Sequence, residues 1–544
     1  MRGTDPEDHA PTDPENHDGT EPERGGRSDS ESRGRSDPEQ GGRSVPQDRG
    51  RTEPERGGRS VPENHDGTEP ERGGRSDPEH RDRSEAEPGG RSALEVRDPS
   101  ASEQRGRSVS GGHPVPTAPG RHSRTDPADR PSAEAEGHGP VRYGPALPGD
   151  GLPVPAGLSA VLAAAAGRAA EQPVGGAPAL REAACGYWER RGLPTRLGRV
   201  AAAPGAPALL VALTAALGGD VLVPRPCAAW WAPYARLLGR PVFHVPPPAE
   251  SGGVPDPYAL LETVRRVRDE GGDPRLLVLS VADDPTATVA PPELLHATAE
   301  AAAGEGLHLV SDETWRDTLH SPHDTVLLSP AEMLPGQVTV VTDLAGALLP
   351  PSWPAAVARF PADATGRDLH ARVLDVLTAL GARVAEPVAA AAGHALGEPA
   401  DVVERRAAAV RLHASVAAAA HAAVVAAGAF ARPPQAGRHL YVDLGPLRAG
   451  LAAHGVGDAQ ELEDLLTTRL GMPAPGGHRF GDDLGALRVR LATGPLLGDT
   501  DEERTECLTS PSPLELPHVQ RALMSLRSVF DDLRDDAQRR ESPR

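Results

Sequence analysis

The stretch RLLVLSVADDPTATVAPPELLHATAEAAAGEGLHLVSDETWRD (Arg275–Asp317) decides the fold of this chain. Arg275–Val281 is a short run of aliphatic residues, the pattern of a strand buried on both faces. Asp284-Pro285 starts a turn. Pro292–Gly304 opens on proline, spaces its apolar residues helically and ends on glycine, the punctuation of an α-helix. His308–Glu313 reads as a second strand. Strand, helix and strand in this order make a βαβ unit, which lays two parallel strands side by side.

The same alternation extends outward. Upstream lie two helices, Gly157–Glu171 and Ala179–Arg191. Further helices are predicted over Pro207–Leu217, Trp230–Leu238 and Pro257–Asp269, and strands over Val221–Pro224 and Pro241–Pro246. Downstream, Gln337–Leu344 is another strand. The repetition predicts an α/β domain with a mostly parallel sheet, whose ligands belong at the carboxyl ends of the strands. Past residue 366 the pattern changes. Asp368–Leu396 and Ala400–Gly428 read as long Ala-rich helices, Arg438–Gly445 and Ala486–Thr493 as strands, and Gln460–Leu470 and Leu516–Asp535 as helices. This is a smaller α+β segment.

Upstream of all this, from Asp13, the chain repeats in octads such as EPERGGRS and VPENHDGT, and PENHDGTEPERGGRSD recurs intact from Pro14 and from Pro62. The octads hold almost no branched aliphatic residue, so they cannot bury enough surface to offset chain entropy. The expected organisation is a disordered octapeptide-repeat tail and linker over 1–140, an N-terminal arm over 141–200, a large α/β domain over 201–370 and a small α+β domain over 371–535.

Composition narrows the chemistry. The 544 residues include 60 Gly, 59 Pro and no lysine, so the 57 basic residues are all arginine. Every mechanism that needs an ε-amine is excluded: a Schiff base, a lysine base or a P-loop lysine. A net charge of −21 argues against a nucleic-acid partner. Cys185, Cys227 and Cys507 form no C-x-x-C pair, which suggests neither a disulfide framework nor a zinc site. No leader-like apolar stretch is visible at the start, and Pro207 breaks the longest apolar run, so the expectation is a cytoplasmic protein without a membrane partner.

Six strings, in order, resemble the class I/II aminotransferases, pyridoxal-phosphate (PLP) enzymes of fold type I. They are REAACGYWERRGLPT (Arg181–Thr195), GGDVLVPRP (Gly218–Pro226), DDPTATV (Asp283–Val289), HLVSDETWRD (His308–Asp317), SPAEMLPGQVTVVTDLAGALLPPSWPAAVARFP (Ser329–Pro361) and ALRVRLATG (Ala486–Gly494). The resemblance implies the fold type I large domain with its smaller α+β partner. It implies amino-group transfer between an amino acid and a 2-oxo acid, PLP as cofactor, and a dimer.

Position by position, the implied site is eroded. Asp312 keeps the place of the acid that pairs with the pyridine nitrogen, although capping a loop is an equal use for it. Asp284 replaces an Asn that donates to the cofactor's phenolic oxygen, and an ionised carboxylate cannot donate. Trp315 replaces a Tyr. Gly205 and Ala206 begin the phosphate-binding helix, but Pro207 has no N–H to contribute. Trp230 or Trp231 is the candidate ring-stacking aromatic. Arg488 matches the clamp for the substrate carboxylate, or pairs with a neighbouring acid. Gly346 stands at the position of the catalytic lysine, Ala345 at a phosphate-binding Ser and Pro354 at a phosphate-binding Arg.

The expectation is therefore an aminotransferase-like protein that is catalytically degenerate, with PLP as the cofactor the resemblance implies but one that an eroded site need not retain. The alternatives are a non-catalytic binding or regulatory pseudoenzyme, a working enzyme that holds PLP without a covalent link or another ligand in the old cleft, and the partner of an active paralogue; the expected assembly is a homodimer or a pairing with that paralogue. His308, His320, His323 and His478 are the histidines of interest, and none sits in a clear metal-binding spacing.

Overall fold

A computed structural model describes residues 147–149, 151–168 and 170–541, all within the unit Ser123–Arg544. The expected disorder of residues 1–140 lies outside the described residues.

The chain enters through helices α1 (Ala156–Ala165) and α2 (Pro178–Glu189), then strand β1 (Val200–Ala203) and helix α3 (Ala206–Leu217). The alternation continues as β2 (Asp220–Pro224), α4 (Trp231–Leu237), β3 (Val242–Val245), α5 (Pro257–Asp269), β4 (Pro274–Ser280), α6 (Pro292–Gly304), β5 (His308–Asp312), α7 (Pro330–Met333), β6 (Val338–Asp343) and β7 (Ala356–Arg359). These strands make one seven-stranded sheet in the order β1-β7-β6-β5-β4-β2-β3. The β3, β2, β4, β5 and β6 neighbours are parallel, while β7 runs antiparallel to both β1 and β6.

The strands are buried on both faces because each successive side chain meets a different helical layer. Leu277, Leu279 and Leu309 pack in one core with Leu260 and Val264 of α5 and Leu295 of α6. Leu276, Val278 and Val310 pack on the other side with Leu209 and Leu213 of α3. Full burial of each such side chain contributes about 2 kcal/mol.

The rest comprises α8 (Ala364–Ala379), α9 (Glu386–Leu396), α10 (Ala400–Ala426), β8 (Phe430–Ala431), β9 (His439–Asp443), α11 (Arg448–Ala453), α12 (Ala459–Leu470), β10 (Arg488–Ala492), α13 (Asp501–Thr509) and α14 (Pro517–Glu541). Here β10, β9 and β8 form an antiparallel sheet. Its apolar face packs with Val416 and Val424 of α10 and Phe530 of α14. Among the described residues α10 alone is long and apolar enough to cross a membrane. Its Leu412, Val416, Ala420 and Val424 are buried inside the protein.

Most expected elements are found close to their ranges, but the first helix stops at Ala165 rather than Glu171, the short elements α7, β8, α11 and α13 carry no expectation, and two further differences have a clear cause. The single helix expected over 368–396 is two, α8 and α9, separated where Gly381 turns left-handed at φ 61°. The strands β1 and β7 read VAAA and AVAR, and their alanines carry little strand signal. They form because they pair with one another, Val200 opposite Arg359 and Ala203 opposite Ala356.

Candidate functional site

Four parallel strands, β1, β4, β5 and β6, direct their carboxyl ends to one place. Asp312 is the last residue of β5 and Asp343 the last of β6. The N-terminus of α3 follows β1, and the turn containing Asp283 and Asp284 follows β4. Sheet topology thus gathers three elements named from sequence, Asp312, Asp284 and the Gly205-Ala206 helix start.

Asp312 is buried and both its oxygens are engaged. Oδ1 accepts from the Thr314 backbone N–H at 3.0 Å and from the Thr314 hydroxyl at 2.5 Å. Oδ2 accepts from the indole Nε1 of Trp231 at 3.2 Å. Burial raises its carboxyl to about 7, against the pull of the Thr314 hydrogen bonds and with a further rise from the Asp343 charge. Near neutrality this acid is poised between its two forms.

Asp343 holds the other end of the cleft. Its Oδ2 accepts from the Ala206 N–H at 2.8 Å, and its Oδ1 from the Ala345 N–H at 3.0 Å. A carboxylate of the chain's own therefore sits on the first turn of α3, where orphan N–H groups and the positive end of the helix dipole favour an anion. Gly205, the preceding residue, has φ 95°, a conformation that suits glycine. Burial raises the Asp343 carboxyl, opposed by its two backbone donors. Thr314 links the two acids, because its hydroxyl also accepts from the Asp343 N–H at 3.1 Å.

Gly346 follows Asp343 by three residues. A Cβ built on it would lie 2.0 Å from the Thr314 carbonyl oxygen and 2.8 Å from Thr314 Cγ2. The Gly346 carbonyl accepts from Arg438 Nη2, and the Arg438 guanidinium lies 5.5 Å from the Trp315 ring centroid. Backbone thus fills the space into which a side chain at 346 would project.

These residues do not fit PLP. No side chain has room at 346. Trp231 and Thr314 already occupy the carboxyl that would face a pyridinium. The helix terminus that would cradle a phosphate holds a carboxylate that would repel it. Pro354, at the implied arginine position, is exposed.

Asp284 is engaged elsewhere. Both its oxygens accept from Arg490 Nη1, at 2.7 and 2.8 Å, in a pair where each side chain is only 4% exposed. The Arg490 guanidinium lies 4.8 Å from the Phe480 ring centroid. His439 Nε2 stands 3.8 Å from Asp284 Oδ1, and burial holds this imidazole down at about 4, so it is neutral. The neighbouring Asp283 accepts at Oδ2 from the Thr286 N–H and hydroxyl, while its buried Oδ1 has no partner.

The other residues named from sequence lie apart from this cluster. Trp230 packs edge-on against Trp231 at 6.1 Å, and it is Trp231 that touches Asp312. Arg488 is paired with Asp443 at 2.9 Å and Asp482 at 3.1 Å. The ring nitrogens of His320 each lie 3.0 Å from a backbone carbonyl, those of Pro434 and Gly437, which makes it a staple between loops. His308 Nε2 lies 2.9 Å from Thr339 Oγ1. Among the described residues no cluster of His, Cys, Asp or Glu is set to hold a metal. Sequence reasoning missed Asp343, Thr314, Arg438 and Arg490. The usable signal was positional, since Asp343 ends a strand and Arg490 alternates in phase with Arg488.

A family model described as aminotransferase class I and II matches residues 147–495. An aspartate/prephenate aminotransferase of Thermus thermophilus is 31% identical over 198 residues, 35% of this chain and 48% of that protein. A probable aspartate/prephenate aminotransferase of Thermus aquaticus is 31% identical over 198 residues, 35% of this chain and 49% of that one. The chain spans about half the length of the curated relatives it matches. Among solved structures, aspartate aminotransferase from Thermus thermophilus with maleate superposes with a TM-score of 0.55 at 21% identity, over 66% of this chain and 87% of that one. N-Succinyldiaminopimelate aminotransferase from Mycobacterium tuberculosis gives 0.55 at 21%, over 67% and 91%. At such identities the likeness is one of fold.

Proposed function

The chain belongs to the class I and II aminotransferase family, and from that premise we propose that it keeps the family's fold without its covalent chemistry. Amino-group transfer through PLP needs a primary amine to capture the coenzyme's aldehyde and then to move the substrate's α-proton. The sequence contains no lysine. The observation that carries the reading is Gly346, whose surroundings admit no side chain because the Thr314 carbonyl stands 2.0 Å from the Cβ position. Asp343 and Trp231 support it, since each takes up a group that a coenzyme would otherwise engage.

In this reading the protein is a non-catalytic member that binds a ligand or a partner. It acts in the cytoplasm, as a homodimer or paired with an active paralogue. Residues 201–370 and 371–535 are its large and small domains, and 141–200 the arm leading into them.

The test uses the full chain incubated with PLP, reduced with borohydride, dialysed and examined by intact mass and absorbance. The expected result is unmodified protein and no retained chromophore. A reduced pyridoxyl adduct on one defined residue of the native fold would refute the proposal.

A further inference from the structure

The turn that follows β4 carries an acid that the Asp312–Asp343 cluster does not use. Asp283 is 1% exposed and makes no ion pair among the described residues. Its Oδ2 accepts from the Thr286 N–H at 3.2 Å and from the Thr286 hydroxyl at 2.6 Å, while Oδ1 is buried without a partner. A buried carboxyl with one bare oxygen is costly in its charged form.

Backbone seals it. The segment 251–253, between β3 and α5, closes over the carboxyl because two of its residues lack side chains. A Cβ on Gly252 would lie 2.5 Å from Asp283 Oδ2, and one on Gly253 would lie 3.1 Å from Oδ1. Gly253 also has φ 78°, which suits glycine. Hydroxyls tie this segment to the acid. The Gly252 N–H donates to Thr288 Oγ1 at 2.8 Å, the Thr288 and Thr286 hydroxyls lie 2.7 Å apart, and Thr286 donates to Asp283. With Thr288 donating to Thr286, each hydroxyl accepts once and donates once.

Thr286 also lines a cavity of about 450 Å³, together with residues 246–249, Phe430 and Arg432. Arg432 follows β8, is half-buried and makes no ion pair among the described residues. Its Nε donates to the Ala249 carbonyl at 2.7 Å. The other groups around Asp283 offer it no cation. Asp284, beside it, is taken by Arg490. His439 on β9, whose Nε2 lies 3.4 Å from the Asp283 carbonyl, is held neutral at about 4 by burial. Burial likewise keeps the Cys227 thiol, past β2, protonated. Arg432 itself stands among Glu250, Asp482 and Arg488. Burial raises the Asp283 carboxyl to about 7; the Thr286 hydrogen bonds and Arg432 pull against it, and the Asp284 charge adds to it.

We propose that Asp283 is a proton-controlled latch: with its proton it stays sealed under segment 251–253, and on losing it the carboxylate displaces that segment and turns into the cavity to pair with Arg432. The sealed carboxyl keeps its proton up to about 7, whereas an accessible one releases it at about 4. Opening therefore grows as pH rises through 7 and levels off above it. Between pH 6 and pH 8 the ratio of open to sealed molecules rises about tenfold. The latch does not rest on the reading of the chain as non-catalytic, and a pyridoxyl adduct would leave it untouched.

The experiment is hydrogen exchange of the full chain, read by mass spectrometry at pH 6 and pH 8, with each rate corrected for that of the free amide. In the wild-type protein exchange of amides 252–254 and 286–288 should rise about tenfold while β4 stays protected. In Asp283→Asn, which cannot ionise, it should stay level. No rise in the wild type, an equal rise in Asp283→Asn, or a loss of protection spread through β4 would overturn the inference. Arg432→Gln and Arg432→Lys both lose the guanidinium bond to the Ala249 carbonyl, so the difference between them reads charge alone. Arg432→Lys should open about threefold more than Arg432→Gln at pH 8. Equal opening in the two would remove the partner on which the open state depends, and the inference with it.

Discussion

Gly346→Lys is the substitution that would seem to restore an aminotransferase, and the structure says that it fails. The simpler Gly346→Ala isolates the reason. Gly346 is not in the left-handed region, so an L-residue suffers no backbone penalty there; the obstacle is contact alone. An added Cβ falls 2.0 Å from the Thr314 oxygen, while ordinary contact begins near 3.4 Å, so the carbonyl must retreat by about 1.4 Å. Thr314 cannot retreat freely. Its N–H and hydroxyl hold Asp312, and its hydroxyl receives the Asp343 N–H. Overpacking a rigid site costs about 1–3 kcal/mol. Breaking one or two of these hydrogen bonds adds roughly 0.5–1.5 kcal/mol each. The sum is about 1.5–6 kcal/mol, and at about 2 °C per kcal/mol for a large domain the melting temperature drops by about 3–12 °C. Thermal unfolding followed by near-ultraviolet circular dichroism measures it. Gly346→Lys should lose at least as much and gain no reducible PLP adduct. A Gly346→Ala protein with an unchanged melting temperature, or a stable Gly346→Lys protein that captures PLP, would refute the reasoning.

Arg490→Met should destabilise by about 3–5 kcal/mol, because it strands the buried Asp284 carboxylate, and adding Asp284→Leu should recover most of the loss in denaturant titrations. Burial raises the Asp283 carboxyl to about 7 against the hydrogen bonds from Thr286. The folded state then keeps a proton that the unfolded chain has released above about pH 4, so this contribution is present at low pH and is lost as pH rises through 7. The wild-type protein should lose on the order of 2 kcal/mol from this group between pH 5 and 8, and Asp283→Asn should show a shallower decline in melting temperature over that range. Glu398 behaves in the opposite sense. Burial alone would raise it, but hydrogen bonds from Arg191, Arg406 and Arg190 outweigh that and hold it at about 2. Its contribution is present above pH 4.5 and lost as pH falls toward 2, so Glu398→Gln should destabilise the protein at pH 7 by about 2–3 kcal/mol and flatten acid unfolding monitored by circular dichroism.

The large sheet was legible because β4, α6 and β5 each carry the local signal of their own structure, and Pro257–Asp269 and Pro292–Gly304 are bounded by proline at the start and a spent apolar stripe at the end. The strands β1 and β7 were not, because alanine has little preference and it is tertiary pairing, of β1 with β7 and of β7 with β6, that makes them strands. In the site, sequence placed Asp312, Asp284 and the α3 start at the carboxyl ends of the strands. It could not say what they touch. Arg490 and Asp284 are 206 residues apart, and Ala206 and Asp343 are 137 apart. No local pattern encodes contacts over such distances. Arg488 and Arg490 share one side of β10, yet the first pairs with Asp443, opposite it on β9, and the second reaches Asp284.

A cleft that holds a helix N-terminus and a buried carboxyl is unstable when nothing pairs with them. A helix N-terminus exposes donors, and a buried carboxyl without partners costs several kcal/mol. Asp343 and Trp231 supply those partners from within the chain, and Thr314 joins them by serving both acids. The two replacements should therefore depend on one another. Trp231→Phe removes the indole N–H from Asp312, and Asp343→Ser removes the charge that raises the Asp312 pKa while leaving a hydroxyl near Ala206. Residues sharing one network couple by about 0.5–3 kcal/mol, whereas independent sites add within about 0.5. A double-mutant cycle on thermal stability should show coupling above that limit. Strict additivity would mean that the Asp312 end and the α3 end are closed separately, and the account of a single cleft sealed by one network would fall.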